Sequence, residues 1–425
     1  MTAETNTQYT HLKPSLIVFD VEGVLIPKRR YLLFEASRHL SFVGFLKMLW
    51  VGLLYETGLM PLEWALRKIF AQLHGLALED MFQLYKKMPL IPGVKNVFER
   101  LKQLEYKTAL ISSGLPQQLV EDLAKELGAK YAFGLNVEVK EGRLTGRISG
   151  EVLQPNGKAL VLSTIMAKEG LSSKECALVA DDRNNLPMFK HCALRIGFNP
   201  DFLLGVKSDV IIKGDFDEVL LPLTNTAPRL RPRSLSKRDV IRETIHISGF
   251  LVAFVSMYLA LNQFVVAFII FLFTLLYVMS ELARMLGYSL PVTATITWNA
   301  ALSSEIYEFV TAPIFFALGI TLTLLIFPAP VSYGAIAVFT LGDGFATLFG
   351  KTLGEHVFPY NRGKNVEGTV FGFVFACLGA WFFVSNPLRA LIGAAVGMFV
   401  ETLPTPVNDN LTIPLFSGLI LLLIP

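Results

Sequence analysis

PSLIVFDVEGVLIP, residues 14–27, decides how the first half of the chain folds. A short apolar and β-branched run ends at Asp20, with Glu22 two residues on and Gly23 next, which is the pattern of a buried strand entering a tight loop. Two acids so spaced at a strand end aim both carboxylates at one point. Further along, YKTALISSG (106–114) is another apolar strand ending at Ser112, and CALVADDRNNLPMF (176–189) is one ending at Asp181. Between them, PNGKAL (155–160) supplies Lys158.

In this order the four stretches resemble the motifs of the haloacid dehalogenase-like phosphohydrolases, in their phosphoserine-phosphatase-like form. The resemblance covers residues 14 to about 215 and implies an α/β Rossmann-like domain with a helical cap, here about 27–90. It also implies that Asp20 attacks phosphorus and that Glu22 protonates the leaving oxygen and then activates water. Ser112 and Lys158 would hold phosphoryl oxygens, and Asp20, Asp181 and Asn184 would lie at Mg²⁺. Three departures stand out: Glu22 replaces the family's second Asp, Ala180-Asp181-Asp182 replaces Gly-Asp-Gly, and Asn185 replaces a common acid. The metal side thereby has one fewer formal charge, so a non-catalytic copy remains an alternative.

Over the 425 residues, 52% are hydrophobic, and the mean hydropathy is +0.50. That exceeds a soluble protein's usual share, and the excess is unevenly placed. Residues 1–225 mix charged and apolar positions, 226–242 form a basic linker, and 243–425 are long apolar runs with short polar joints. The linker carries Arg229, Arg231, Arg233, Lys237, Arg238 and Arg242 against Asp239, which marks a cytoplasmic flank and attracts anionic headgroups. The polar N-terminus has no signal-peptide pattern, so the first domain is expected in the cytoplasm. Cys176, Cys192 and Cys377 lack metal spacing. No nucleic-acid partner is expected, and a homo-oligomer is compatible with the chain. Residues 40–60 are nearly long enough to span a bilayer, but a lone span would separate Asp20 from Ser112. This segment therefore reads as a buried or membrane-touching cap helix with Lys47 snorkelling, which would suit a lipid phosphate substrate.

The second half reads as an all-α polytopic membrane domain of about seven helices, near 244–261, 264–283, 306–327, 331–349, 367–384, 386–403 and 411–425. Within it, LGDGFATLFGKTLG (341–354) looks like a phosphate loop. However, Gly344 lies one residue out of register with Gly350-Lys351-Thr352, and the residues before it read as a membrane helix, so a Walker loop is rejected. Counting spans from the basic linker puts His246, Asp343, the loop 350–366, Glu401 and Asp409 on one leaflet. Ionisable groups at such positions are costly and usually functional. A helix-capping role for His246, or a boundary role for Glu367 or Glu401, is the simpler alternative.

With NRGKNVEGTVFGF (361–373) and VETLPTPVNDNLTIPL (400–415), this stretch is similar to the membrane CTP-dependent lipid kinases that include dolichol kinase and phytol kinase. RETIHISG (242–249) fits that family's opening motif, except that Glu243 stands for a lysine. The resemblance implies CTP as phosphoryl donor, Mg²⁺, and an isoprenoid or other lipid alcohol as acceptor, with the whole chain a bifunctional enzyme. Asp343, Asp409 and His246 would be catalytic, and Gly342, Gly344, Lys351, Lys364, Glu367 and Asn410 would face the triphosphate. Asp343 and Glu401 would face the metal. A CDP-lipid-forming cytidylyltransferase shares part of the pattern but lacks its late Lys-Asp signature here. A transporter or flippase would place polar groups at the midplane or on both leaflets.

Overall fold

The computed structural model describes residues 14–27, 44, 47, 50, 51, 54, 55, 59–224, 235, 237–285, 288, 297, 301 and 309–424. The chain divides into two compact units, 1–228 with 303–308, and 229–302 with 309–425.

The first unit is built on β1 (Leu16–Asp20), wholly buried along its length. Side chains alternate between the two faces of a strand. Ile17 and Phe19 accordingly enter one core, and Leu16 and Val18 enter the other. After β1 come α1 (Leu62–Gln72), α2 (Leu78–Lys86), α3 (Val94–Gln103), β2 (Lys107–Pro116), α4 (Gln117–Leu127), β3 (Tyr131–Lys140), β4 (Arg143–Ser149) and α5 (Gly157–Glu169). The unit continues through β5 (Cys176–Ala180), α6 (Leu186–Phe189), β6 (Leu194–Phe198), α7 (Phe202–Lys207), β7 (Val210–Ile212) and α8 (Leu220–Leu223). The sheet order is β4-β3-β2-β1-β5-β6-β7. Only the β3–β4 pair is antiparallel. Helices cover both faces, as a parallel sheet requires.

Register sets the active end. Phe19 pairs with Val179 and Asp20 with Ile111, so Asp20, Ser112 and Asp181 all emerge at the carboxyl ends of adjacent strands. Of the expected cap, 28–58 lie mostly outside the described residues. The described part contains α1 and α2 and is stitched to the β3–β4 hairpin by Gly75 N–H to Leu144 O at 2.9 Å and Leu78 N–H to Gly142 O at 2.9 Å. Met81, Leu119 and Leu144 form a small core beneath it. The described part of this segment is thus helical and bonded to the β3–β4 hairpin.

The second unit contains α9 (Lys237–Ser248), α10 (Phe250–Tyr258), α11 (Gln263–Met285), α12 (Ala312–Ile326), α13 (Val331–Ala337) and α14 (Gly344–Leu353). It ends with β8 (Val357–Phe358), β9 (Asn361–Asn365), α15 (Val366–Val384), α16 (Pro387–Thr402) and α17 (Asp409–Leu423). Among the described residues, four helical stretches are long and apolar enough to cross a membrane: Lys237–Tyr258, Gln263–Arg284, Val331–Leu353 and Val366–Val384. Ala312–Ile326 and Asp409–Leu423 are shorter and apolar. The doubtful phosphate loop is helical: Val338–Asp343 is a π-turn between α13 and α14. Such turns widen a helix locally and are frequent at functional positions.

Candidate active sites

In the first unit, Asp20 is 3% exposed at the end of β1. Its Oδ1 accepts from Val21 N at 2.8 Å and from Lys158 Nζ at 2.8 Å. Lys158, near the start of α5, also donates to Asn185 Oδ1 at 2.9 Å, and Asn185 Nδ2 donates to Asp20 Oδ2. Burial raises the Asp20 carboxyl against the pull of Lys158, with Glu22 and Asp182 adding to the rise. Burial by itself would lower the Lys158 amine, but Asp20, Asp182 and Glu22 outweigh it and hold the amine above its ordinary value.

Ser112 Oγ receives Leu115 N–H at 2.9 Å and donates to Glu22 Oε2 at 2.8 Å. The serine and the proposed acid–base group are therefore already in contact. Asp20, Asp181 and Asp182 each offer a carboxylate oxygen, and these oxygens lie within 4.8 Å of one another. A hard, oxygen-only donor set of this kind fits Mg²⁺.

Asn184, expected at the metal, has its Nδ2 on Asp182 Oδ2 at 2.8 Å and on the Tyr55 hydroxyl. The third acid beside Asp20 and Asp181 is Asp182, which composition alone shows only as a departure from Gly-Asp-Gly. An amide facing a carboxylate donates to it, which turns Asn184 toward Asp182. Tyr55 has no signal in the sequence, because its neighbours read only as an apolar helix.

In the second unit, Lys364 is the hub of the membrane-half acids. Its Nζ lies 2.5 Å from Glu401 Oε1, 3.3 Å from Asp409 Oδ2 and 3.6 Å from Asp343 Oδ1. Burial would depress this amine, but Glu401, Asp343 and Asp409 outweigh it and hold it well above the lysine range. His246 Nε2 stands 3.7 Å from Asp343 Oδ2, and its ring packs on Phe316 and Phe339 with centroids at 4.8 Å. Five sequence-distant positions, 246, 343, 364, 401 and 409, thus converge.

Other expected positions lie elsewhere. Lys351 pairs with Asp239. Glu367 accepts from Glu355 N at 3.1 Å and His356 N at 3.2 Å, fastening a turn. Asn410 N is held by Asn408 Oδ1 at 3.0 Å as a helix start. A Cβ at Gly342 would meet Met398 Sδ at 2.7 Å and one at Gly344 would meet Ile247 Cγ1 at 2.5 Å, so neighbouring side chains pack closely against both positions. These glycines bring helices together. Among the described residues, no three acids of this unit gather as Asp20, Asp181 and Asp182 do, because the Lys364 amine occupies the middle of the set.

A parallel α/β sheet with an aspartate, a lysine and paired acids at its carboxyl edge defines a phosphohydrolase-type domain. The chain belongs to the haloacid dehalogenase-like hydrolase family, whose profile matches residues 17–190. It is 31% identical over 209 residues to a phosphoserine phosphatase of Methanocaldococcus jannaschii, covering 49% of this chain and 97% of that protein. It is 36% identical over 135 residues to one from Archaeoglobus fulgidus, of which it spans 39%. A solved phosphoserine phosphatase, a phospho-aspartyl intermediate analogue, superposes with a TM-score of 0.45 at 29% identity, over 49% of this chain and 98% of that one. The chain is also similar, at 35% identity over 130 residues, to "Probable phytol kinase 3, chloroplastic" of Glycine max, covering 27% of this chain and 41% of that protein.

Proposed function

We propose that the chain is a bifunctional membrane enzyme: a phosphate monoesterase in its first unit and a CTP-dependent kinase of an isoprenoid or other lipid alcohol in its second. The monoesterase reading is carried by Asp20, held by Lys158 at the carboxyl edge of the sheet beside Asp181 and Asp182. Asp20 attacks phosphorus, the ester P–O bond breaks, and Glu22 gives its proton to the leaving oxygen. Glu22 then takes a proton from the water that attacks the aspartyl-phosphate, releasing phosphate and restoring Asp20. Asp20, Asp181 and Asp182 would hold Mg²⁺, which when bound screens these carboxylates from the phosphoryl charge.

The kinase reading is supported by the Lys364 convergence and by the similarity to a phytol kinase. Lys364 would neutralise triphosphate oxygens, exchanging its carboxylate partners for them. Asp343 would share Mg²⁺ with the triphosphate, since magnesium usually takes only one or two protein carboxylates beside substrate phosphates. His246, Glu401 and Asp409 would surround the acceptor hydroxyl. Both sites are proposed to face the cytoplasm, with CTP, the lipid alcohol and bilayer lipids as partners.

The test uses full chain in detergent with Mg²⁺ and γ-labelled CTP or ATP, offering geranylgeraniol, a longer polyprenol and diacylglycerol. Label should enter a lipid from CTP, vanish in Asp343→Asn and Lys364→Met, and accumulate further in Asp20→Asn if both activities share that lipid. Pyrophosphate released with phosphatidic acid, and no labelled alcohol, would defeat the kinase reading in favour of CDP-lipid synthesis.

A further inference from the structure

The loop 181–185, which carries two of the three clustered acids, is fastened on both sides by elements that expose large apolar side chains. On one side stands Tyr55. Its hydroxyl donates to Asp182 Oδ2 at 3.4 Å, its carbonyl accepts from Arg183 Nη2 at 2.6 Å, and its ring lies 5.5 Å from that guanidinium. Trp50 and Leu59, close in sequence on either side of Tyr55, are 61% and 76% exposed. On the other side, Asp201 accepts from Arg183 N at 2.8 Å, while its own N–H reaches Asp181 O at 2.7 Å. Asp201 caps α7, which exposes Phe202, Leu203 and Val206 at 39%, 47% and 49%. Exposed Lys47 and Lys207 flank these two groups.

We propose that this apolar rim rests on a bilayer and that the hydrolase site takes the phosphate monoester of a membrane-embedded amphiphile. The inference deepens the monoesterase reading and rests on it. Large apolar side chains exposed on both elements that hold this loop mark an interaction surface, and the bilayer is the occupant for two reasons. The chain carries its own membrane-crossing helices, which keep lipid at high effective concentration beside the domain. The flanking lysines also suit anionic headgroups. The phosphate enters between Asp20 and Lys158, and the alkyl chain stays in lipid while Glu22 protonates the released hydroxyl. No other co-reactant than water is needed.

The experiment places full chain in nanodiscs of phosphatidylcholine and phosphatidylglycerol without nucleotide. It compares hydrolysis of geranylgeranyl phosphate in the disc with that of p-nitrophenyl phosphate in solution. The paired variants Trp50→Ser with Leu59→Ser, and Leu203→Ser with Val206→Ser, should each lower kcat/KM for the prenyl phosphate by roughly tenfold, mainly through KM, and leave the soluble ester unchanged. Unchanged prenyl phosphate hydrolysis in both pairs, or equal losses on both substrates, overturns the inference while leaving the monoesterase reading intact. Wild-type protein no more active than Asp20→Asn on either substrate defeats that reading and the inference with it.

Discussion

At the scale of single residues, the exchange of Asp182 and Asn185 is the most informative feature of the hydrolase site. Asn185 stands where an acid is common, and its carbonyl still accepts from Lys158 while its amide reaches Asp20 and Asp182. The carboxylate missing at 185 is matched by one at 182, within reach of Asp20 and Asp181. The loss of formal charge expected at the metal side is therefore made good locally. Asp182→Asn should weaken Mn²⁺ or Mg²⁺ binding by about tenfold or more, read by calorimetry or Mn²⁺ resonance. Asp20→Asn should lower monoester turnover by about a thousandfold or more, with the fold retained by circular dichroism. Asp20 and Asp181 were legible in the sequence because each closes an apolar strand-like run, and Ser112 and Lys158 through the resemblance of their stretches. Tyr55 was not, since its role depends on a segment folding back over a loop more than a hundred positions away.

Elements carry a different kind of prediction. Glu169, at the end of α5, accepts from Lys107 Nζ at 2.6 Å through Oε2, while its Oε1 accepts from the Tyr131 hydroxyl at 2.5 Å and pairs with Lys130 Nζ at 2.6 Å. One carboxylate thus ties the helix to the starts of β2 and β3. The Lys107, Lys130 and Tyr131 hydrogen bonds hold it down at about 2 from an ordinary 4.5. A depressed carboxyl stabilises the folded state above its unfolded value and loses that contribution as pH falls through the folded one. Glu169→Gln should therefore lower the melting temperature at neutral pH, with the gap to wild type closing between pH 4.5 and 2 in thermal melts. In the membrane half, a Cβ at Gly372 would meet Gly342 O at 2.5 Å. Gly372→Val should cost about 1–3 kcal/mol through overpacking, read as a lower melting point in detergent. The hydropathy pattern located these helices well. It could not show the close packing at Gly342 and Gly344, because a glycine that admits a neighbouring side chain looks like any other until the neighbour is in place.

At the scale of the whole molecule, the two units have separate cores, two on the faces of the sheet and one among the apolar helices. A fragment of residues 1–235 should fold alone and melt cooperatively. It should keep hydrolysis of p-nitrophenyl phosphate within about twofold of the full chain, but lose most of its preference for a prenyl phosphate in nanodiscs because the tether is gone. Parallel loss on both substrates would show that the units depend on each other for folding.

Hydropathy and strand-end acids by themselves marked the apolar second half and the positions of Asp20, Asp181 and the membrane-half acids, because these follow from short-range pattern and local chain geometry; the roles expected of Asp20 and Lys158 came from the resemblance of their stretches. Tertiary structure alone decided which carboxylates come together, bringing Asp182 beside Asp20 and Asp181. It also placed Lys364 among Asp343, Glu401 and Asp409 while Lys351 turns to Asp239. Charged groups in a buried setting settle on whichever opposite charge packing brings within a few ångströms, and that distance is set by how strands and helices meet rather than by spacing along the chain.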